Sequence, residues 1–152
     1  MQGSLCAISY RAFNRKTLKL TDNETKAVLF DRIGGAPVID KVVERFYDLM
    51  DTVPQARGIR AMHPESLDRV RAVLKDYLGE WMGGPPKFSS VHGHPRLRAR
   101  HLRFPIGPAE RDAWMACMTK ALEEEVPDDQ IRLPLLQALQ NLADWMRNDP
   151  RG

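Results

Sequence analysis

Four histidines, His63, His92, His94 and His101, are the side chains best suited to hold a metal or move a proton near neutral pH. His92 and His94 are the closest pair, in a Gly/Pro-bounded loop with no carboxylate nearby. A structural zinc site brings Cys/His pairs together, so this pair reads as a turn or a helix cap. His101 differs, because it lies within Leu97-Arg98-Ala99-Arg100-His101-Leu102-Arg103-Phe104. On a helix, Leu97 and His101 share one face while Arg98 and Arg100 splay to either side. An inward imidazole between outward guanidiniums suits a flat, apolar, dianionic cofactor: the ring nitrogen reaches its metal and the arginines meet its carboxylates. The plainer alternative is a helix-terminal histidine bonded to a carbonyl beside a solvated arginine face. Residue types alone favour that alternative. Tyr47, Trp114 and the Val70/Leu74/Tyr77 stripe likewise read first as core, and His63, beside Pro64, as a satisfied loop residue.

The elements that must position these side chains are helices. Thr21 and Glu24 have the spacing of a capping box, followed by a short helix to Ile33 that stops at Gly34-Gly35. A second helix opens with Pro37 in its first turn. It carries Ile39, Val42, Val43, Phe46, Tyr47, Met50 and Val53 as a wide apolar stripe and ends at Pro54. An irregular connector, 55–62, leads to a bend at His63-Pro64. The third helix has Ser66 as its N-cap, with Leu67, Val70, Leu74, Tyr77, Leu78 and Trp81 inward, and Gly83-Gly84-Pro85-Pro86 stops it. After a loop comes a short basic helix around 95–102, broken by Phe104-Pro105-Ile106-Gly107-Pro108. The next helix starts at Pro108 and turns Trp114, Cys117, Met118, Ala121 and Leu122 inward. Asp128 or Asp129 caps the last, which buries Ile131, Leu135, Leu139, Leu142 and Met146. Pro134 is expected in its first turn or at a restart, since an interior proline costs about 3 kcal/mol. The fold class is all-α.

Bulk properties bound the function. A chain of 152 residues makes one domain, and at that size roughly 68–70% of the unfolded surface can be buried, enough for a core and a pocket. With 43% apolar and 28% charged residues the composition is that of a globular protein. No stretch reaches the ~18 apolar residues of a membrane span. Cys6 and Cys117 match no zinc or redox spacing, so a reducing cytoplasm is the default expectation. Residues 1–20 read as a flexible basic extension ahead of a domain over 21–149. That tail loosely resembles a transit peptide, and a disordered tail or a misplaced start codon is the preferred reading. Residues 81–109 hold Lys87, Arg96, Arg98, Arg100 and Arg103 with no acid, and this second basic patch surrounds His101.

Taken together the chain resembles the truncated haemoglobins, specifically group II, the O-type. The resemblance covers about residues 28 to 146. It is carried by Leu29-x-Asp31-Arg32-Ile33-Gly34-Gly35, Arg45-Phe46-Tyr47 and Trp81-x-Gly83-Gly84-Pro85-Pro86. The most specific stretch is Gly93-His94-Pro95-Arg96-Leu97-Arg98-x-Arg100-His101-x-x-Phe104-x-Ile106, followed by Glu110-Arg111-Asp112-x-Trp114. These motifs recur in the family's order and spacing, and they reverse the reading of His101.

The resemblance implies a two-over-two helical sandwich around b-type haem, built from the helices of Tyr47, Leu74, Trp114 and Leu139. It implies that His101 is the proximal iron ligand, Tyr47 the distal tyrosine, and Trp114 the tryptophan whose indole N–H points at the bound ligand. Val70 then occupies the gate position and Leu74 lies over the iron. His63 aligns with a variable distal position, in a segment (His63 to Gly83) one residue shorter than in some relatives. Tyr77, Lys87, Phe88, Arg98, Arg100, Phe104 and Ile106 complete the implied cofactor contacts. With Tyr47, Trp114 and His63 able to supply two or three hydrogen bonds of about 1 kcal/mol each, such a pocket binds O2 tightly and releases it slowly, which argues against bulk oxygen transport.

Two functions remain open on this reading. One is a redox role such as nitric oxide dioxygenation or peroxide chemistry, and the other a non-catalytic O2 reservoir or sensor acting through protein partners. The implied partners are O2, NO or CO, with a reductase if the protein is catalytic. Room is left for a homodimer. A haem-free helical interaction protein using the basic patch on nucleic acid or another anionic partner is the third alternative, disfavoured because the patch is short and surrounds a buried-looking histidine and no recognition helix with base-reading side chains is evident.

Overall fold

A computed structural model describes residues 29–149. The reading of residues 1–20 as an extension and the Thr21/Glu24 capping box lie outside the described residues. Residues 29–33 are helical, and the turn Gly34-Gly35 leads into α1, Ala36–Thr52. Gly34 has φ of 111°, and a Cβ there would sit 2.6 Å from Val38 Cγ2, so both conformation and space demand glycine. A 3-10 turn, Pro54–Ala56, and α2, Arg57–Ala61, follow. Then come α3 (Asp68–Trp81), α4 (Ser89–His92), α5 (Leu97–His101), α6 (Pro108–Glu125) and α7 (Asp129–Met146).

Helix α1 packs against α3 and α6, and α6 against α7. These four helices, the ones bearing Tyr47, Leu74, Trp114 and Leu139, form the two-over-two arrangement expected of the sequence. The apolar stripe explains why α1 is central. Ile39, Val42, Val43, Phe46, Tyr47, Leu49 and Met50 are all buried, each such side chain contributing about 1.5–3 kcal/mol. Met118 and Leu122 of α6 and Leu135 and Leu139 of α7 are fully buried with them. Ion pairs stitch the exposed seams: Arg71 to Glu44 and Asp48 between α3 and α1, Arg45 to Glu124 between α1 and α6, and Arg111 to Asp144 between α6 and α7.

Several local expectations need correction. The connector 55–62 is largely helical, because Pro54 at the first position starts a new turn as readily as it ends the old helix. Ser66 is not the N-cap of α3, which is Leu67, though its hydroxyl does receive the Asp68 N–H at 3.4 Å. Pro134 lies inside α7 beyond its first turn. The helix runs through it with its N-terminus secured, since Asp128 accepts the Gln130 N–H at 2.9 Å and Arg132 donates to the Val126 carbonyl at 2.8 Å. Ile131 and Leu142 are half-buried, whereas Leu135, Leu139 and Met146 are buried as expected.

Candidate functional site

Helix α5 carries His101 at its last position. The loop before it is held by its own residues. The His94 Nδ1 accepts the Arg96 N–H at 3.1 Å, and Arg96 takes φ of 43°, a left-handed conformation uncommon outside glycine. His94 thus closes the turn ahead of α5, whose N-cap is Arg96, the turn that its loop setting suggested. His101 is half-buried, and its Nδ1 lies 2.6 Å from the Leu97 carbonyl one turn earlier. A carbonyl can only accept, so Nδ1 bears a proton, and in the neutral ring Nε2 holds the lone pair. That is the tautomer an iron ligand needs, with the second nitrogen's hydrogen bond fixing ring orientation and raising basicity. Among the described residues no three His, Cys, Asp or Glu side chains come together as a metal-ion site. A lone histidine suits a metal whose other ligands come from a macrocycle, and the donor set therefore fits haem.

A second cluster converges from α1, α6 and the bend after α2. Phe46 stands edge-on to Tyr47 at 4.9 Å between centroids and to Trp114 at 5.2 Å. His63 stands edge-on to Tyr47 at 5.8 Å. Tyr47 is 5% exposed, and burial pushes its phenol up to about 12 while the nearby Arg71 charge opposes the shift. Neither the Tyr47 hydroxyl nor the Trp114 indole N–H is hydrogen-bonded to another side chain or carbonyl among the described residues. Both are thereby available donors. The His63 Nδ1 lies 2.7 Å from the Ile59 carbonyl, so His63 resembles His101 in leaving Nε2 as the lone-pair nitrogen. Burial lowers its pKa, helped by the charge of Arg60, and a neutral His63 offers an acceptor there rather than a donor.

The remaining expected residues divide into those brought together and those turned elsewhere. Tyr77 of α3 meets Phe88 edge-on at 5.6 Å, Phe88 lies 4.9 Å from His92, and the Arg100 guanidinium sits 5.3 Å over the Phe88 ring. Lys87, next to Phe88, is exposed. Val70 and Leu74 are half-buried against the core on the face of α3 that also bears Tyr77. Phe104 has Arg103 stacked on it at 4.8 Å. Arg98 turns to the end of α7, donating to the carbonyls of Trp145 and of Arg147, the latter at 2.9 Å. Ile106 offers both its N–H and its carbonyl to the segment after α7.

Three contributors escaped the sequence reading. Phe46 bridges Tyr47 and Trp114 but looks like any other stripe residue. Arg71 stands on α3 with its guanidinium 5.7 Å over the Tyr47 ring, gripped by Glu44 and Asp48 of α1. Asn148 lies beyond the last helix and donates to the His101 carbonyl at 3.2 Å.

Comparison with known proteins places this geometry. The model of the bacterial-like globin family matches residues 28–148. The chain is 35% identical over 114 residues to Group 2 truncated hemoglobin YjbI of Bacillus subtilis, covering 75% of this chain and 84% of that protein. The solved structure of a group II 2-on-2 hemoglobin from Agrobacterium tumefaciens superposes with a TM-score of 0.78 at 42% identity, covering 80% of this chain and 94% of the other. A truncated oxygen-avid haemoglobin from Bacillus subtilis superposes with a TM-score of 0.73 at 33% identity, over 79% of this chain and 98% of that one.

Proposed function

The chain belongs to the bacterial-like globin family, as one of its group II truncated haemoglobins, and on that premise we propose that it holds b-type haem on His101 and binds O2 with high affinity, NO and CO competing for the same place. Haem, the cofactor of haemoglobins, supplies an iron on which such diatomic ligands are taken up reversibly. The observation that carries the reading is the 2.6 Å contact between His101 Nδ1 and the Leu97 carbonyl. It holds the imidazole in the one tautomer whose Nε2 can coordinate.

The other residues have roles that follow from their chemistry. Tyr47 and Trp114 donate hydrogen bonds to a polar diatomic ligand, each worth about 1 kcal/mol and more where the acceptor carries charge. The Tyr47 phenol, pushed up to about 12, keeps its proton throughout the neutral range. Val70 and Leu74 keep bulk water away from the ligand, and neutral His63 closes the side next to Tyr47. Tyr77, Phe88, Phe104 and Ile106 supply apolar contact to the macrocycle. Exposed Arg100 and Lys87 meet its carboxylates, while Arg98, whose Nη1 is already committed to two carbonyls at the end of α7, adds positive charge.

Tight binding favours a chemical role over bulk delivery. The role proposed is detoxification of nitric oxide, in which NO and O2 would be converted to nitrate, the one electron this requires coming from bound ferrous haem that an external reductase would regenerate. The likeness to a haemoglobin described as oxygen-avid supports the affinity part of this reading. The test is an absorption spectrum of the purified protein. A Soret band that shifts with O2 or CO is expected, followed by stoichiometric nitrate when NO is mixed with the oxygenated protein. No Soret band would end the proposal. A band with no nitrate would leave a ligand reservoir or sensor.

A further inference from the structure

The proximal helix α5 is five residues long, too short to hold its own geometry in isolation. Its position must come from what grips it. The grip comes mostly from the five residues that end and follow α7. Arg98, in the first turn of α5, donates to the carbonyls of Trp145 and Arg147. At the other end of the segment the Asn148 side chain spans two backbone groups. Its Nδ2 donates to the carbonyl of His101 itself at 3.2 Å, and its Oδ1 accepts the Ile106 N–H at 3.0 Å. The Asn148 and Asp149 N–H groups both donate to the Ile106 carbonyl, at 2.8 and 3.0 Å. The Phe104 N–H shares the His101 carbonyl at 3.0 Å.

Taking His101 as the haem ligand, as proposed above, we infer that Asn148 is a positioning residue for it, the central link of a C-terminal strap that sets the height and tilt of the proximal imidazole. The chemistry of the bridge is specific to a carboxamide. One side chain must donate to a carbonyl and accept from an N–H at once, and an amide does both from a single plane. A carboxylate keeps the acceptor but turns a lone pair toward the His101 carbonyl. An apolar side chain loses both bonds. The main chain of His101 carries its imidazole, whose Nδ1 is already tied to Leu97 within the same helix. Helix and ring therefore move together, and Asn148 holds them where α7, packed through Leu135 and Leu139 into the core, dictates.

The experiment compares the haem-loaded parent with Asn148→Asp and Asn148→Leu. In the ferrous, ligand-free state, the iron–histidine stretching band by resonance Raman reports the pose of His101 directly. We expect it to broaden and move to lower frequency in both variants. Haem transfer to an excess of an acceptor apoprotein should quicken about fivefold in Asn148→Asp, the factor that loss of one ordinary hydrogen bond allows, and by more in Asn148→Leu, which loses two. In the haem-free chain, amide hydrogen exchange at Ile106 should stay slow in Asn148→Asp and become fast in Asn148→Leu, which reads the bridge independently of the cofactor. If Ile106 loses protection while the band and the haem-loss rate stay at parental values, the strap is structural only and the inference falls, with His101 ligation standing. If the parent itself shows no iron–histidine band, the assignment of His101 falls and takes this inference with it.

Discussion

The Phe46 ring stands edge-on to the Trp114 indole, 5.2 Å between centroids and inclined by 60°. Phe46 is fully buried and also meets Tyr47 edge-on, so one apolar ring packs against both residues that carry an available donor. Trp114 is half-buried, with its N–H bonded to no described residue. Replacing Trp114 with Phe keeps an aromatic partner for Phe46 and removes the donor. O2 dissociation measured by stopped flow should accelerate about fivefold or more, the worth of one hydrogen bond. An unchanged off-rate removes Trp114 from the donor set.

The same ring is the largest fully buried side chain of the core. Truncating Phe46 to Ala should cost about 3–5 kcal/mol, through lost burial and the cavity left between α1 and α6. Chemical denaturation of the haem-free protein measures this. A cost near zero would mean that the aromatic cluster collapses without penalty and that Phe46 does not anchor Tyr47 and Trp114.

Tyr47 titrates on the alkaline side. Burial raises its phenol from 10.0 to about 12 in the folded chain. Between those two values the unfolded chain binds fewer protons than the folded one, so stability falls as pH rises through this window. Below it Tyr47 contributes no pH dependence. Alkaline unfolding of the parent should therefore set in above the ordinary tyrosine range, and Tyr47→Phe should shift that onset upward. An identical onset in the two proteins would contradict a buried, protonated Tyr47.

Acid acts on the seams between helices. Lys75, with Arg71, holds Glu44 below its ordinary pKa, Arg45 does the same for Glu124, and Arg111 for Asp144. A carboxylate whose folded pKa is depressed stabilises the fold above its unfolded pKa and loses that contribution as pH falls through the folded value. An Arg45→Gln, Arg111→Gln double variant should melt below the parent at neutral pH. The gap should close in acid and in high salt, since these pairs are solvent-exposed. A gap independent of both pH and salt would show that the arginines act through packing alone.

Much of this was legible in the sequence, for identifiable reasons. Helices α1, α3, α6 and α7 each run at least three turns, long enough for apolar residues to declare a period, and Pro, Gly and Asp mark their ends. Helices α2 and α4 are about one turn long and carry no period to find. The His101–Leu97 bond was legible in outline because it is local, four residues apart on one helix. Arg71 and Asn148 were invisible because their partners lie far away in the chain, Glu44 27 residues and His101 47 residues distant. Neither residue type announces such a role by itself. Phe46 was read correctly as core, and its contact with Trp114 as well as Tyr47 emerges only when α1 meets α6.

The most direct test of the account is the ferrous absorption spectrum of His101→Ala, recorded with and without added imidazole. The account predicts loss of the five-coordinate spectrum of the parent and its recovery when imidazole takes the place of the missing side chain. Retention of the parental spectrum without imidazole would contradict it, because the haem would then be held by a residue other than His101.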